Sequence, residues 1–170
     1  MNAEELKKIQ RPLKEKYRND AASALITLQA AGRIGEGISC KVETGKAIVE
    51  AGLHPATGGT GMLACSGDLL LEALVACAGV TLRAVATAIE FKFTGGVVKA
   101  EGDLDFRGTL GVDKEAKVGF KSIRLTFQLE TPEDKDRIET LLKLTERYCV
   151  VYQTLISGTE INAAIETHGY

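Results

Sequence analysis

Only two histidines, His54 and His168, occur in this 170-residue chain, and no two of its four cysteines stand at metal-ligand spacing. A zinc site draws its ligands from closely spaced Cys and His, so no metal is expected, and no other cofactor. The glycines of Gly58-Gly59-Thr60-Gly61 are not followed by Lys-Ser or Lys-Thr and do not lie between a strand and a helix, which argues against a phosphate cradle. No serine sits in a nucleophile elbow, so a Ser-His-Asp hydrolase is unsupported. Charge of one sign is lacking too: 21 basic residues face 23 acidic ones with no basic stripe. Nothing here neutralises a phosphate backbone or an anionic membrane, and no nucleic-acid partner is expected. Met1 to Gln10 contains no apolar leader core, and no later stretch approaches the roughly 18 charge-free residues of a membrane span. These absences predict a cytoplasmic protein without a membrane partner.

What is present suits one domain, because 170 residues at 45% hydrophobic content can build a single core but hardly two. Residues 3–18 set Glu4, Glu5, Lys7, Lys8, Lys14 and Glu15 around Leu6, Ile9, Leu13 and Tyr17. This is an amphipathic pattern that Pro12 should kink or divide. It reads as an N-terminal helical arm, residues 1–22, ahead of a single domain over 23–170. Strand-prone runs follow at 24–28, 37–42 and 46–51, with Glu43-Thr44-Gly45 as a hairpin turn between the last two. The glycine-rich stretch 53–64 reads as a long loop and a possible site wall.

Ser66 offers an N-cap oxygen and Asp68 a first-turn carboxylate for a helix running to Phe91, apolar nearly all round and therefore central. Such a helix needs cover on all sides, a second subunit included. Strands are expected over 97–106 and 118–129, where Ile123, Leu125, Phe127 and Leu129 alternate with Arg124, Thr126 and Gln128 as on a half-buried antiparallel sheet. Thr131-Pro132-Glu133-Asp134 reads as a helix start with threonine as cap, the helix running to about Arg147. A short helix over 151–156 and a last strand over 160–166 complete an α+β order with a mainly antiparallel sheet.

In a reducing compartment four cysteines are free thiols, and a disulfide between two of them is transient and catalytic. Cys77 lies inside the apolar run Leu69 to Leu82, and Cys149 in Glu146-Arg147-Tyr148-Cys149-Val150-Val151. Read by themselves, both are small buried hydrophobes. Cys40 and Cys65 are expected to be structural, although Cys65 falls near a helix N-terminus, a place that can lower a thiol pKa. Chemistry at Cys77 needs the thiolate, and burial opposes it unless a cation or fixed donors compensate; an arginine is expected to do so. On one straight helix Asp68 and Cys77 are about 180° and about 13.5 Å apart, and Arg83 is about 240° round from Cys77. An acid acting on Cys77 must therefore come from a bend, another element or another subunit.

The stretch Asp68-Leu69-Leu70-Leu71-Glu72-Ala73-Leu74-Val75-Ala76-Cys77-Ala78-Gly79-Val80-Thr81-Leu82, together with Cys149-Val150-Val151 ahead of a short helix, resembles the OsmC/Ohr family of thiol peroxidases over roughly residues 32–166. The resemblance implies an OsmC-like fold, a mainly antiparallel sheet on two long helices, and an intertwined homodimer with the cysteine helices at its centre. It implies that Cys77 is peroxidatic and Cys149 resolving, with Asp68 as the acid and Arg33, or failing it Arg18, as its arginine. Two departures stand out: Val150 replaces the family's usual proline, and aspartate replaces its usual glutamate. The function implied is reduction of organic hydroperoxides, with a thiol or dithiol reductant not readable from sequence. A second reading keeps the scaffold and drops the chemistry, as a dimeric protein binding an apolar or electrophilic small molecule near Cys77. Read without the resemblance, Asp68 is a first-turn dipole acid.

Overall fold

The computed structural model describes residues 2–19, 31–34, 39–44, 47–111 and 113–167, less the side chains of 9, 13, 16–18, 31–34, 39–44, 47 and 48. In chain order its elements are α1 (Ala3–Asn19), β1 (Ala31–Ile34), β2 (Ser39–Thr44), β3 (Ala47–Gly52), a single 3-10 turn (Pro55–Thr57), β4 (Ala64–Cys65) and α2 (Ser66–Ala88). They continue with β5 (Gly95–Leu104), α3 (Phe106–Thr109), β6 (Phe120–Glu130), α4 (Lys135–Tyr148) and α5 (Val150–Ser157). The class is α+β, as the element order predicts. The strand expected over 24–28 lies outside the described residues, and α1 runs through Pro12 as one helix.

Two sheets form where one was expected. Strands β1, β2 and β3 are antiparallel neighbours, with β4 added parallel to β3. Strands β5 and β6 make a separate antiparallel ribbon that pairs Ile123 with Gly102, Leu125 with Ala100 and Phe127 with Val98. Period-two alternation along β6 turns Ile123, Leu125, Phe127 and Leu129 to one face, half-buried, and leaves Arg124, Thr126 and Gln128 outside.

Helix α2 is the hub, packing against α1, α4, α5, β4 and β5. Its Leu82, Val85 and Ala86 join Phe91 and Leu141 as the core, with Phe127, Leu129 and Leu144 packed around them. These positions recur three and four residues apart, the spacing of one helix face. By length and composition α2 could cross a membrane, with a mean hydropathy of 1.9 in its most apolar window. The core helix of a globular domain passes the same test, and α2 carries that role here.

The end of α2 is closed by a left-handed residue, Glu90 (φ 54), after which the Phe91 N–H reaches back to the Ala86 carbonyl at 2.8 Å. That six-to-one bond is how helices commonly stop, though glycine is the usual left-handed residue. Arg137 on α4 donates through Nη2 to the Ile89 and Glu90 carbonyls at 3.2 and 3.1 Å, satisfying acceptors that the helix end would otherwise leave open. The start of α4 corrects the sequence reading: Asp134, not Thr131, is the cap, accepting from the Arg137 N–H at 2.9 Å. Thr131 is already engaged, since its hydroxyl donates to the Lys92 carbonyl at 2.6 Å and accepts from the Glu133 N–H at 3.1 Å. Likewise Cys65, not Ser66, stands at the N-cap of α2, without a side-chain bond to the helix. Residues 160–166 form no strand in the described chain; Ile161 and Ile165 are 87% and 92% exposed. A strand pattern without an edge to pair with leaves its amides to water, and alternation alone does not hold it.

Candidate active site: a thiol pair between two helices

Cys149 is shared by two helices. Its N–H donates to the Thr145 carbonyl at 2.9 Å as the end of α4, and its carbonyl accepts from the Gln153 N–H at 2.9 Å as the start of α5. Between those bonds its backbone is extended (φ −75°, ψ 109°), so the chain turns at this residue. Gln153 fixes the corner by donating from its side chain to the Glu146 carbonyl at 2.9 Å. The Cys149 side chain is 1% exposed.

The first amides of a helix have no partner within it. In α5 no acid occupies the first turn and the cap residue makes no side-chain bond to the helix. The sulfurs take those amides instead. Cys77 accepts from the Val151 and Val150 N–H groups, and Cys149 from the Tyr152 and Val151 N–H groups. The two thiols are neighbours, each acting on the other's proton affinity, and the Thr81 hydroxyl, one turn along α2, acts on Cys77 as well.

These donors decide the proton distribution. Burial pushes the Cys77 thiol up, but the Val151 amide, the Cys149 thiol, the Thr81 hydroxyl and the Val150 amide outweigh it and hold Cys77 below the ordinary thiol value. For Cys149 burial dominates, and the neighbouring Cys77 adds to it, so its thiol is raised despite bonds from the Tyr152 and Val151 amides. Of the two neighbouring thiols, Cys77 is therefore the one that gives up its proton first.

The sequence-expected arginine does not supply this compensation among the described residues; backbone amides and a hydroxyl do. Arg83 instead stacks its guanidinium over the Phe93 ring at 4.7 Å. Arg33 lies on β1 opposite Lys41, with its side chain outside the described residues, as is that of Arg18. Asp68 sits in the first turn of the unbroken α2, nine residues from Cys77, so within one chain the helix holds them apart. It lines a small cavity of about 160 Å³ with His54, Cys65, Leu71 and Phe106. There His54 stacks on Phe106 at 5.0 Å and accepts through Nδ1 from the Ala56 N–H at 3.0 Å. Cys40 is on β2, with its side chain outside the described residues. Among the described residues no three His, Cys, Asp or Glu come together as metal ligands. Larger hollows of about 470 and 370 Å³ run between β6 and helices α4 and α5, and neither sulfur lines them.

Sequence reasoning missed Thr81 and the α5 amides. The first had a signal, a hydroxyl four residues after a cysteine on an apolar helix, where side chains one turn apart meet. The second depended on where α5 begins relative to α2, which no spacing encodes.

Comparison with known proteins addresses the ancestry of this arrangement. The structure is similar to an OsmC-like protein from Mycoplasma pneumoniae, with a TM-score of 0.64 at 18% identity, covering 81% of this chain and 94% of that one. It is similar to an organic hydroperoxide resistance protein OsmC from Legionella pneumophila, with a TM-score of 0.61 at 18% identity over 78% and 90% of the two chains. A further likeness is to the organic hydroperoxide resistance protein OhrB of Bacillus subtilis, with a TM-score of 0.51 at 18% identity over 77% and 91%. At such identities the likeness establishes the fold. Among curated proteins no sequence match is found. The sequence model of the OsmC-like proteins matches residues 59–164, a span that takes in both sulfurs and every helix from α2 to α5, and on that match the chain belongs to the OsmC-like protein family.

Proposed function

We propose that this chain is a thiol-dependent peroxidase that reduces organic hydroperoxides to alcohols, with Cys77 peroxidatic and Cys149 resolving. The observation that carries the reading is the juxtaposition of two thiols of opposite tendency, Cys77 held low and Cys149 held high. The likeness to the organic hydroperoxide resistance proteins of Legionella pneumophila and Bacillus subtilis points the same way. The Cys77 thiolate attacks the terminal peroxide oxygen: the S–O bond forms, the O–O bond breaks, and the alkoxide leaves as alcohol after taking a proton. The sulfur loses two electrons and becomes a sulfenic acid. Cys149 then attacks that sulfur, forming the S–S bond and releasing water with the proton Cys149 gave up. A thiol or dithiol reductant returns both cysteines to thiols. The apolar run of α2 that carries Cys77, with Leu74 and Ala78 buried beside it in sequence, favours an apolar peroxide over hydrogen peroxide.

The reading includes a homodimer. Val80, three residues beyond Cys77, is 73% exposed, and Leu70 and the alanines at 73, 76 and 84 share its uncovered state on α2. A second copy would cover that apolar surface, and would bring to Cys77 the Asp68 that one continuous helix holds away from its own Cys77, with Arg33 as its partner. Residues 1–22 are read as an arm ahead of one domain over 23–170, in the cytoplasm, where a thiol reductant is at hand. The test is consumption of cumene hydroperoxide against hydrogen peroxide with dithiothreitol as reductant. Preferential consumption of the organic peroxide, lost in Cys77→Ser, is expected; consumption retained in that variant overturns the reading.

One observation favours a second reading: a hollow of about 470 Å³, lined by Leu74, Ile123, Leu125, Phe127 and Tyr152 among others, excludes both sulfurs. A non-catalytic dimer would hold an apolar small molecule there. Saturable binding of an apolar fluorophore, with all thiols still reduced after peroxide treatment, would establish that role in place of the first.

A further inference from the structure

The two thiols differ in access. Cys77 is half-buried on α2, and Ala73, Ala76 and Val80, all within about one turn of it, are exposed. Cys149 is 1% exposed although Tyr148 and Val150 on either side of it are exposed, so the corner lies at the surface and the Cys149 side chain turns inward. Thr145 and Leu141, one and two turns back along α4, are buried as completely. The corner is pinned by the backbone bonds to Thr145 and Gln153 and by the Gln153 side chain on the Glu146 carbonyl. Swinging it round to bring Cys149 to solvent would undo the end of one helix and the start of the next.

A disulfide between these cysteines offers an incoming thiolate two sulfurs, and two effects oppose each other in the choice. Leaving-group strength favours attack on Cys149, because the thiol that ionises more readily, Cys77, is then the one expelled. Access favours attack on Cys77. The attacking sulfur must come from behind the sulfur it bonds, and behind Cys149 lies the packed corner of α4 and α5. A difference in leaving group changes a rate by a graded factor, whereas a sulfur with almost no exposed surface is reached only after the corner opens. Access is the stronger of the two.

We propose that the thiol reductant opens the disulfide at Cys77, with buried Cys149 as the leaving thiol, so that the resolving cysteine never meets the reductant. The inference rests on the reading of the two cysteines as a redox pair and assigns the sulfur at which that pair is returned to thiols. In the first exchange a thiolate bonds to the Cys77 sulfur, the Cys77–Cys149 bond breaks, and Cys149 takes the electron pair and then a proton. A second thiol attacks the reductant's own sulfur in the mixed disulfide; the reductant departs as a disulfide and Cys77 is released as the thiolate. Peroxide attack, resolution and re-reduction then all make and break bonds at one sulfur. They share the opening that a peroxidatic Cys77 requires in any case, within a dimer as well.

The test starts from full-length protein oxidised with diamide, which links a thiol pair without any peroxide, so a chain that never reduces a peroxide still passes or fails. The disulfide form is mixed with limiting cysteamine, quenched in acid and labelled with N-ethylmaleimide in denaturant, and peptide mass spectrometry locates each adduct. Cysteamine on Cys77 with the maleimide on Cys149 is expected, exceeding the reverse by about tenfold or more, since access has to override a leaving-group bias of the other sign. Repeated on protein unfolded in urea, where both sulfurs meet solvent, the excess should vanish. Cysteamine on Cys149, or an even split in the folded protein, overturns the proposal and leaves the two-thiol reading standing. An excess that survives urea overturns it too, because burial would not be its cause. No Cys77–Cys149 disulfide after diamide removes the two-thiol reading and the proposal with it.

Discussion

Cys65 and Cys149 occupy the same position in two helices. Each is an N-cap in extended backbone, at φ −79°, ψ 132° ahead of α2 and φ −75°, ψ 109° ahead of α5, and neither makes a side-chain cap bond. At α2 the first turn already contains an anion, Asp68, whereas the first turn of α5 has no acid. The free amides of α5 therefore meet sulfur, and the sulfur they share with Cys149 comes from another helix. Cys65 is half-buried beside Gly67 and Phe120, with no second thiol in the cavity it lines. A helix N-terminus near a cysteine is thus not sufficient for thiol chemistry. What distinguishes the α5 end is an unfilled first turn together with a second sulfur delivered by α2.

The largest effect that would break this comparison is on turnover. Cys77→Ser should reduce peroxide consumption to the uncatalysed rate, while Cys65→Ser should leave it unchanged within assay error; a strong loss in the Cys65 variant would put the chemistry at the wrong end of α2. A smaller effect separates what one subunit supplies from what a second would add. Arg33→Lys keeps the charge but loses the two-pronged geometry that pairs with a carboxylate. We expect steady-state turnover to fall about tenfold, with the pH profile of Cys77 alkylation unmoved, because neutral donors on the same chain hold the thiolate. An upward move of that profile would mean that the arginine, and not the α5 amides, makes the thiolate.

How much of this was legible beforehand varies along the chain. Helix α2 announced itself through an apolar run with Asp68 at its start, and β6 through strict alternation, because each pattern has the period of the element it forms. The meeting of Cys77 and Cys149 carried no local signal, since they are far apart in sequence; only the likeness to a family pointed to it. The start of α4 was misread at Thr131 because a hydroxyl that could cap a helix was needed to tie Lys92 to Glu133. The strand pattern at 160–166 was correctly alternating, but a strand is a property of two segments, and its sequence names no partner. Arg33 lies on a strand whose pairing is described and whose side chain is not, so the acid–arginine half of the site stays a proposal.

Stability gives a finer contrast between the two ends of α2. At Gly102, beside the Cys65 cavity, an added Cβ would come within 2.4 Å of the Phe120 ring, whereas at Gly79, beside the thiol pair, it would meet Val98 at an ordinary 3.7 Å. Gly102→Ala should destabilise by about 1–3 kcal/mol through overpacking. Gly79→Ala should stabilise by about 0.5–1 kcal/mol through helix propensity. Chemical denaturation of both variants decides the point, and a destabilised Gly79 variant would place a closer neighbour against α2 than the single chain contains.

The smallest effect is electrostatic and lies on the outer face of the β5–β6 ribbon. Arg124 and Ser122 hold the Asp103 carboxyl down from 3.8 to about 2. A carboxyl lowered on folding stabilises the native state while ionised, so its contribution is present above pH 3.8 and is lost as pH falls towards about 2. Because the pair is open to solvent, the loss should be slight and screened by salt. Asp103→Asn should flatten the thermal midpoint over that range and leave Cys77 labelling unchanged.

The central claim is that oxidising chemistry belongs to the α2–α5 thiol pair and not to the other helix N-cap. Its most direct test treats the reduced protein with about one equivalent of cumene hydroperoxide and maps the products by non-reducing peptide mass spectrometry. The account predicts a rapid Cys77–Cys149 disulfide with Cys65 still reduced. Oxidation spread over all four cysteines, or none at the pair, would contradict it.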